Sequence, residues 1–356
     1  MTVVIRVDPD HPDPDAIARA ADCLRRGGLV AFPTETVYGL GAHALDRAAV
    51  RRLFEAKGRP ANDPLIVHIT AFERIAALTR DLPAEARALA DRFWPGPLTL
   101  VLARSPEVPD EVTAGLETVA IRIPSHPVAR ALLLAADLPV AAPSANLFSR
   151  PRPTRAAHVL EDLDGRIDML LDGGVTEVGL ESTVLDLAHG TPTVLRPGAI
   201  AIDLLRTVVP TVVYRSAAAP DATRGMASPG LLEKHYSPRA ALTLYEGPAN
   251  AAIGALVVEA RTALAAGWRV GILAPTEEID VIRKALGVDA PRTHLEDAGA
   301  GNNLPEVAQR LYAALRAVDT AGVDLILART VSAEEGLGAA IRDRLRRAAA
   351  GRIVAC

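Results

Sequence analysis

The stretch from Gly27 to Ile69 constrains the fold of this chain more than any other, because apolar runs and polar turns alternate there at fixed lengths. Residues 29–32 form a short apolar run that fits a buried strand. Pro33 ends it, and Thr34, Glu35, Thr36 and Tyr38 follow as a polar loop closed by Gly39 and Gly41. Asp46 is placed to cap a helix running to about Ala56, with Val50, Leu53 and Phe54 on one face. Lys57-Gly58-Arg59-Pro60 ends that helix, and residues 65–69 form the next strand. Strand, polar turn, helix, basic turn and strand together bring polar groups to strand ends, where open α/β sheets bind ligands.

The rest of the chain continues this alternation irregularly. Strands are expected over 3–7, 98–103, 118–123, 139–142, 169–171, 184–187 and 193–195, and helices over 14–26, 83–93, 126–136 and 199–206. Thr70 and Glu73 have the spacing of a capping box for a short helix, and Thr154 is placed to begin another. Irregular alternation predicts a mixed sheet, not a βαβ repeat. Between 208 and 239 small and turn-forming residues dominate, and a loop of that length is a linker or a functional segment. Beyond it the order β-α-β-α-α-β-α fits a small doubly wound sheet, with Ser332 and Glu335 as a capping box for the last helix. Gly336-Leu337-Gly338 is too short for a dinucleotide fingerprint. The expected organisation is a first domain over 1–207, a linker over 208–239 and a second domain over 240–356.

Composition narrows the class. With 356 residues, 49% hydrophobic, 23% charged and a net charge of −4, the chain can bury two cores. No apolar run approaches 18 residues, and the first residues read as a strand and not a leader. Two cysteines, at 23 and 356, give neither a disulfide framework nor metal-ligand spacing. A cytoplasmic protein without membrane association is the expectation. Mild acidity and 3% aromatic residues argue against tight nucleic-acid binding. Of 39 basic residues only three are lysine, at 57, 234 and 284, so a compact ammonium at Lys57 stands out.

Lys57 and Arg59, two apart in a turn held by Gly58 and Pro60, can reach one anion from different sides. The same residues also suit a solvated helix C-terminus, where cations complement the dipole. Ser144 and Asn146 follow an apolar strand and a proline, and can orient a ligand or bond to their own backbone. Ser182 with Thr183, and Arg196, recur at strand ends. The set is polar and net cationic, with no nucleophile elbow, HExxH or CxxC. It points to a site that binds phosphates and positions reactants.

In chain order, PTETVYGLG, KGRPANDPLIVHI, FWPGPLTLVL, VAIRIPSHP, APSAN, GLESTVLDL and LRPGAI closely resemble the YrdC-type threonylcarbamoyl-AMP synthases. SPGLLEKHYSP and the second α/β pattern resemble the long, two-domain form. The paired K-x-R and S-x-N elements, here Lys57/Arg59 and Ser144/Asn146, are the most specific part. The resemblance implies a YrdC-like α/β fold, a twisted mixed sheet with helices and a central cavity, joined to a smaller Rossmann-like doubly wound domain. It implies that L-threonine, bicarbonate and ATP are converted to threonylcarbamoyl-AMP and pyrophosphate. Downstream proteins would transfer the threonylcarbamoyl group to tRNA. Thr36, His68, Arg122, Ala142 and Ser182 would hold threonine. Lys57, Arg59, Asp63, Thr118, Ser144, Asn146, Arg152, Arg196, His235 and Tyr236 would surround ATP, with Lys57 and Arg59 as the catalytic pair. Mg²⁺ is expected with ATP, no metal ligand is named, and no tightly bound cofactor is expected.

Two residues depart from the family pattern: Asp63 stands where Asn is common, and Arg152 where Ser is common. A carboxylate at 63 could repel phosphate or ligate Mg²⁺. A reading from another class is an RNA-binding module without catalysis, which would not need Thr36, His68 and Ser182. Two further expectations follow. Lys57→Ala should abolish adenylate formation and leave the fold intact, because a turn-exposed ammonium contributes little to stability. The stretch 228–238, with Leu231, Leu232, Lys234, His235 and Tyr236, should close over the first domain's site as a lid, with 208–239 as its tether.

Overall fold

In the computed structural model, which describes residues 1–214 and 236–356, the helix expected after Asp46 forms over Arg47–Lys57. The Asp46 carboxylate accepts from the Ala48 and Ala49 N–H groups, and Gly58 closes the helix at φ 61°, a backbone that glycine adopts without strain. Ala49, Val50 and Leu53 are buried on its inner face, and Phe54 is partly buried beside them. The described residues divide into two units, 1–148 with 152–214, and 149–151 with 236–356.

The first unit is built on eleven strands: β1 (Val3–Arg6), β2 (Val30–Phe32), β3 (Gly39–His43), β4 (Ile66–His68), β5 (Leu98–Ala103), β6 (Thr118–Arg122), β7 (Val140–Ala141), β8 (Met169–Asp172), β9 (Thr183–Asp186), β10 (Thr193–Arg196) and β11 (Val213–Tyr214). Their order across the sheet is β1-β8-β2-β3-β7-β4-β6-β5-β9-β10-β11. Parallel and antiparallel neighbours mix, as the irregular alternation predicts. One face packs against the helices Pro14–Arg25 and Pro127–Ala136 through Ile17, Leu24, Leu132 and Leu133. A larger core contains Leu53, Leu65, Leu89, Leu100, Ile121 and Val159.

Several elements differ from expectation. The polar loop after β2 turns back into β3, an antiparallel partner of β2 that the sequence does not announce. Its residues, Gly39-Leu40-Gly41-Ala42-His43, lack β-branched side chains, yet Gly41 is required. A Cβ there would come within 2.9 Å of Phe32 Cε1 and Val140 Cγ1. Thr70 and Glu73 form no capping box: a 3₁₀ turn over Phe72–Ala77 starts from Ala71 without a side-chain cap. The helix expected at Thr154 begins at Ala156, and the last helix of the unit is only Ile202–Arg206. Val209 and Val212 are buried in the first core, and β11 pairs with β10. The first unit therefore extends into the stretch assigned to a linker.

In the second unit β12 (Ala241–Glu246), β13 (Val270–Ala274), β14 (Thr293–Asp297), β15 (Leu325–Arg329) and β16 (Ile353–Ala355) form a sheet in the order β14-β13-β15-β12-β16, every pair parallel. The sequence order is thus β-α-β-α-β-α-β-α-β. β14 and β16 are edge strands. Thr293-His294-Leu295-Glu296-Asp297 is only half buried, so it lacks the apolar run that marks β13 and β15. Glu335 is the N-cap of the helix Gly336–Ala349 but makes no side-chain cap, so the Ser332–Glu335 box is absent.

Candidate active site

Five of the expected site residues come from strand termini of the first unit. His68 ends β4, Arg122 ends β6 and Arg196 ends β10, while Ser182 immediately precedes β9 and Ala142 follows β7. His68 and Arg122 are register partners on adjacent strands. Ser144 bridges to Gly39, and the Leu40 N–H donates to Pro143 O at 2.7 Å, which pins the Pro143–Ser144 turn against β3. These segments enclose a cavity of about 510 Å³, open mouth included. Its walls carry Thr36, Arg59, His68, Arg122, Ala142, Ser144, Arg152, Ser182 and Arg196, together with Thr34, Val37, Gly39, Ile66, Pro143 and Glu181.

The polar groups divide into two linked networks. Arg122 donates through Nη1 to Thr36 Oγ1 (3.0 Å) and through Nε to Gly96 O (3.3 Å), and its Nη2 lies 2.7 Å from Glu35 Oε1. Thr36 Oγ1 is in turn 2.8 Å from Thr34 Oγ1. On the other side Arg196 Nη2 donates to Ser182 O (2.9 Å) and Ser182 Oγ (3.2 Å), and Ser182 Oγ is 2.8 Å from Thr99 Oγ1. Arg152 donates through Nε to Glu181 Oε1 (3.0 Å) and through Nη1 to Asn146 Oδ1 (3.4 Å). Every one of these arginines is buried. An RNA surface needs cations exposed to a backbone, so a cavity walled by buried arginines suits a small, multiply polar ligand.

His68 lies against this network as a neutral ring. Burial, and then the Arg122 charge, holds its pKa down to about 3. Nδ1 is 3.2 Å from the Ile66 carbonyl, which can only accept, so Nδ1 carries the proton and Nε2 offers a lone pair.

Lys57 is not where the sequence puts it. The ammonium is buried, only 1% exposed, and donates to Ser144 O (2.5 Å) and Asn146 O (2.6 Å). It does not line the cavity; it holds the loop that does. Burial, with Arg59 and Arg152 adding to it, lowers its pKa well below the ordinary lysine range. The expectation of a turn-exposed ammonium that contributes little to stability is therefore corrected. Asp63 is likewise buried and faces Arg59 Nη2 at 3.0 Å, with burial raising its pKa. Arg59 also donates to Asp63 O (3.0 Å) and Pro64 O (2.7 Å), so the 59–64 turn folds around its own arginine. A carboxylate at 63 serves as that arginine's counterion.

Thr118 starts β6, and Asn146 lies behind Ser144; neither lines the cavity. Tyr236 is buried in the second unit, its ring stacked on Tyr312 at 5.6 Å between centroids, with the Arg344 guanidinium 5.4 Å from its centre. A core position replaces the nucleotide contact expected of it. His235 and the rest of the 228–235 lid segment lie outside the described residues. Sequence reasoning missed Glu35 and Glu181, the buried partners of Arg122 and Arg152. The sequence signal was present in each case: a glutamate in a Thr-rich loop and a glutamate directly before Ser182.

Comparison with known proteins identifies the family. A family model described as "Telomere recombination" matches residues 22–198, and one described as "Threonylcarbamoyl-AMP synthase, C-terminal domain" matches 200–350. The threonylcarbamoyl-AMP synthase of Pyrococcus abyssi is 43% identical over 99% of both chains. That of Bacillus subtilis is 44% identical over 95% of this chain and 94% of its own. The crystal structure of P. abyssi Sua5 complexed with L-threonine superposes with a TM-score of 0.90 at 42% identity, covering 100% of both chains. With two family models together spanning residues 22–350 and relatives more than 40% identical along nearly the whole chain, the chain belongs to the threonylcarbamoyl-AMP synthase family, in its two-domain form.

Proposed function

We propose that the first-unit cavity takes up L-threonine, bicarbonate and ATP and releases threonylcarbamoyl-AMP and pyrophosphate, for modification of tRNA by downstream transfer proteins in the cytoplasm. One observation carries the assignment of residues. Hydroxyls and a neutral imidazole (Thr36, Ser182, His68) share one chamber with Arg59, Arg122, Arg152 and Arg196. Arg122 with the Thr36 and Ser182 hydroxyls receives the amino-acid carboxylate, and His68 Nε2 accepts from the threonine hydroxyl. The apolar wall of Val37, Ile66 and Ala142 meets its methyl group.

The threonine amine takes up carbon dioxide derived from bicarbonate and loses a proton, giving a carbamate. A carbamate oxygen then forms a bond to the α-phosphorus of ATP as the bond from that phosphorus to pyrophosphate breaks. Negative charge grows on the α-phosphate and on the leaving group. Arg59, Arg152 and Arg196 are fixed before the reaction by Asp63, Glu181 and Ser182, so stabilising that charge needs little reorganisation. Lys57, through the carbonyls of Ser144 and Asn146, positions the Ser144 side of the chamber.

Mg²⁺ is proposed to accompany the nucleotide. The described residues contain no group of three or more His, Cys, Asp or Glu able to hold a metal, and Glu35 and Glu181 are each paired with an arginine. The residues present therefore do not fit a protein-held ion. The metal enters on the phosphates of ATP. The test is pyrophosphate release from ATP and bicarbonate with each amino acid in turn. Release that depends on threonine supports the reading, and release indifferent to amino acid overturns it.

A further inference from the structure

The second unit contains a crevice that the reaction above does not use. From β12 the chain passes through the helix Ala249–Ala265 to β13, toward one edge of the sheet. From β15 it passes through the helix Gly336–Ala349 to β16, toward the other edge. Because β12 and β15 are neighbours, their connections leave the same place in opposite directions and open a gap beyond the carboxyl ends of the strands. The gap is about 1240 Å³, mouth included, and its walls include Asn250, Glu277, Arg329, Thr330, Ser332 and Arg342.

Three observations give its chemistry. The helices Ala249–Ala265 and Thr276–Leu286 both begin at the crevice, and their N-caps, Pro248 and Pro275, supply no side-chain acceptor, although in the second helix the Thr276 and Glu278 N–H groups already donate to Gly299 O (3.0 Å) and Pro275 O (2.9 Å). Thr330 lines the crevice at 6% exposure, and its Oγ1 has no hydrogen-bond partner. Such a buried hydroxyl is costly unless something bonds to it. Among the described residues Arg342 pairs with the highly exposed Glu334 at 3.3 Å and with Glu246 at 3.7 Å, and Glu246 is already held by Arg346 at 2.9 Å. Pairs of that kind are weak enough to be exchanged for a stronger anion.

The carboxylates around the gap are accounted for. Glu278 is bound by Arg329 at 2.7 and 3.1 Å, and Glu277 accepts from the Gly301 N–H at 3.0 Å while keeping acceptor capacity. An anion site at two helix starts beside a carboxylate able to accept from hydroxyls matches a phosphate attached to a ribose.

We propose that this crevice is a second nucleotide site, taking a phosphate at the two helix starts, Thr330 and Arg342, and the ribose hydroxyls at Glu277. Equilibrium dialysis of the full chain with ATP, without threonine or bicarbonate, should find two equivalents bound per chain. Arg342→Gln should weaken the second equivalent at least tenfold, and Ser332→Trp, at an exposed position, should block it. Thr330→Val should also weaken it while leaving thermal stability unchanged or raised, because the lost hydroxyl has no partner to forfeit. AMP should compete for the second equivalent more strongly than inorganic phosphate. A single equivalent that Arg342→Gln and Ser332→Trp leave untouched overturns the proposal. So does a second equivalent indifferent to Arg342→Gln and Ser332→Trp, or one that inorganic phosphate displaces as well as AMP does. The first equivalent reads the first-unit site separately, so the two assignments stand or fall independently.

Discussion

Replacing Lys57 by alanine should unfold the first unit early as well as silence it. The ammonium donates to the carbonyls of Ser144 and Asn146, and the Lys57 carbonyl accepts from the Phe148 N–H at 2.9 Å, so one residue ties both ends of the 144–148 loop. Alanine removes two charge-assisted hydrogen bonds to buried carbonyls, of which Ser144 O keeps the Asn146 N–H at 3.0 Å, at about 1.5–3 kcal/mol each. It also leaves a space where the side-chain stem packed. Relief of the ammonium's own burial cost offsets part of this, and a net loss of about 3–5 kcal/mol remains. For a unit of this size that lowers Tm by roughly 10 °C. The chain holds two tryptophans, Trp94 in the first unit and Trp268 in the second, and Trp268 is half exposed. In a Trp268→Phe background, Trp94 fluorescence follows the first unit alone, which matters because two units need not melt together. Lys57→Met keeps the stem and should recover only the packing part of the loss. Lys57→Arg should be no better than alanine, since a planar fork does not fit a slot shaped for one ammonium. An alanine variant melting within a degree or two of the parent, yet inactive, would refute the reasoning and return Lys57 to direct contact with substrate.

His68 supplies a pH signature. Its folded pKa of about 3 lies below the ordinary 6.5, so between those values the unfolded chain binds the extra proton. Its contribution to stability is complete above about pH 6.5 and is lost as pH falls toward 3, at up to about 1.4 kcal/mol per unit. His68→Gln should reduce the slope of first-unit stability against pH between 4 and 6 by that amount, measured by urea titration; an unchanged slope would place the proton elsewhere. Serine should replace threonine at a finite disadvantage, because one methyl against Val37, Ile66 and Ala142 is worth about 1–3 kcal/mol. Equal kcat/KM for the two amino acids would remove the methyl pocket. A chain ended at Arg206 loses the buried Val209 and Val212, each worth about 1.5–3 kcal/mol, and should melt well below one ended at Tyr214. Identical melting of the two would show that the 207–214 segment adds nothing to the first core.

Much of the fold was legible because burial on both faces leaves a plain signature. Residues 98–103 and 270–274 read as apolar runs and are strands with buried interiors. Helix starts were legible where a side chain does the capping, as Asp46 does. They were misread where spacing alone suggested a cap: Thr70 with Glu73, and Ser332 with Glu335, have the capping-box interval but are not N-cap and N3. β3 and β14 escaped for opposite reasons. Gly39 and Gly41 look like turn residues, yet they sit in a strand, and at Gly41 Phe32 and Val140 leave no room for a side chain. β14 is a half-buried edge strand whose polar residues resemble a loop.

For the site, residue types were legible and their depth was not. Spacing placed Lys57 and Arg59 in one turn, but depth depends on contacts made by residues far along the chain. The Lys57 ammonium is buried by Ser144 and Asn146, 87 and 89 positions away. The Arg152 guanidinium is balanced by Glu181, 29 positions on. Lys57 and the four arginines of the cavity wall (Arg59, Arg122, Arg152 and Arg196), all buried, would repel one another and favour unfolding, so they require buried anions. Glu35, Asp63 and Glu181 meet that requirement for three of the arginines, Asp63 from the same turn as Arg59 and the two glutamates from segments remote in sequence, and buried Asp162 acts on Lys57. The same electrostatic argument explains both departures from the family pattern. Asp63 is a counterion within its own turn, and Arg152 is a cation held by Glu181 against Asn146. Neutralising any one of the three carboxylates should therefore disturb its arginine first and the substrate only through it. A site proposed to take a triphosphate must keep positive charge in reserve, and four cavity-wall arginines against Glu35, Asp63 and Glu181 leave that reserve.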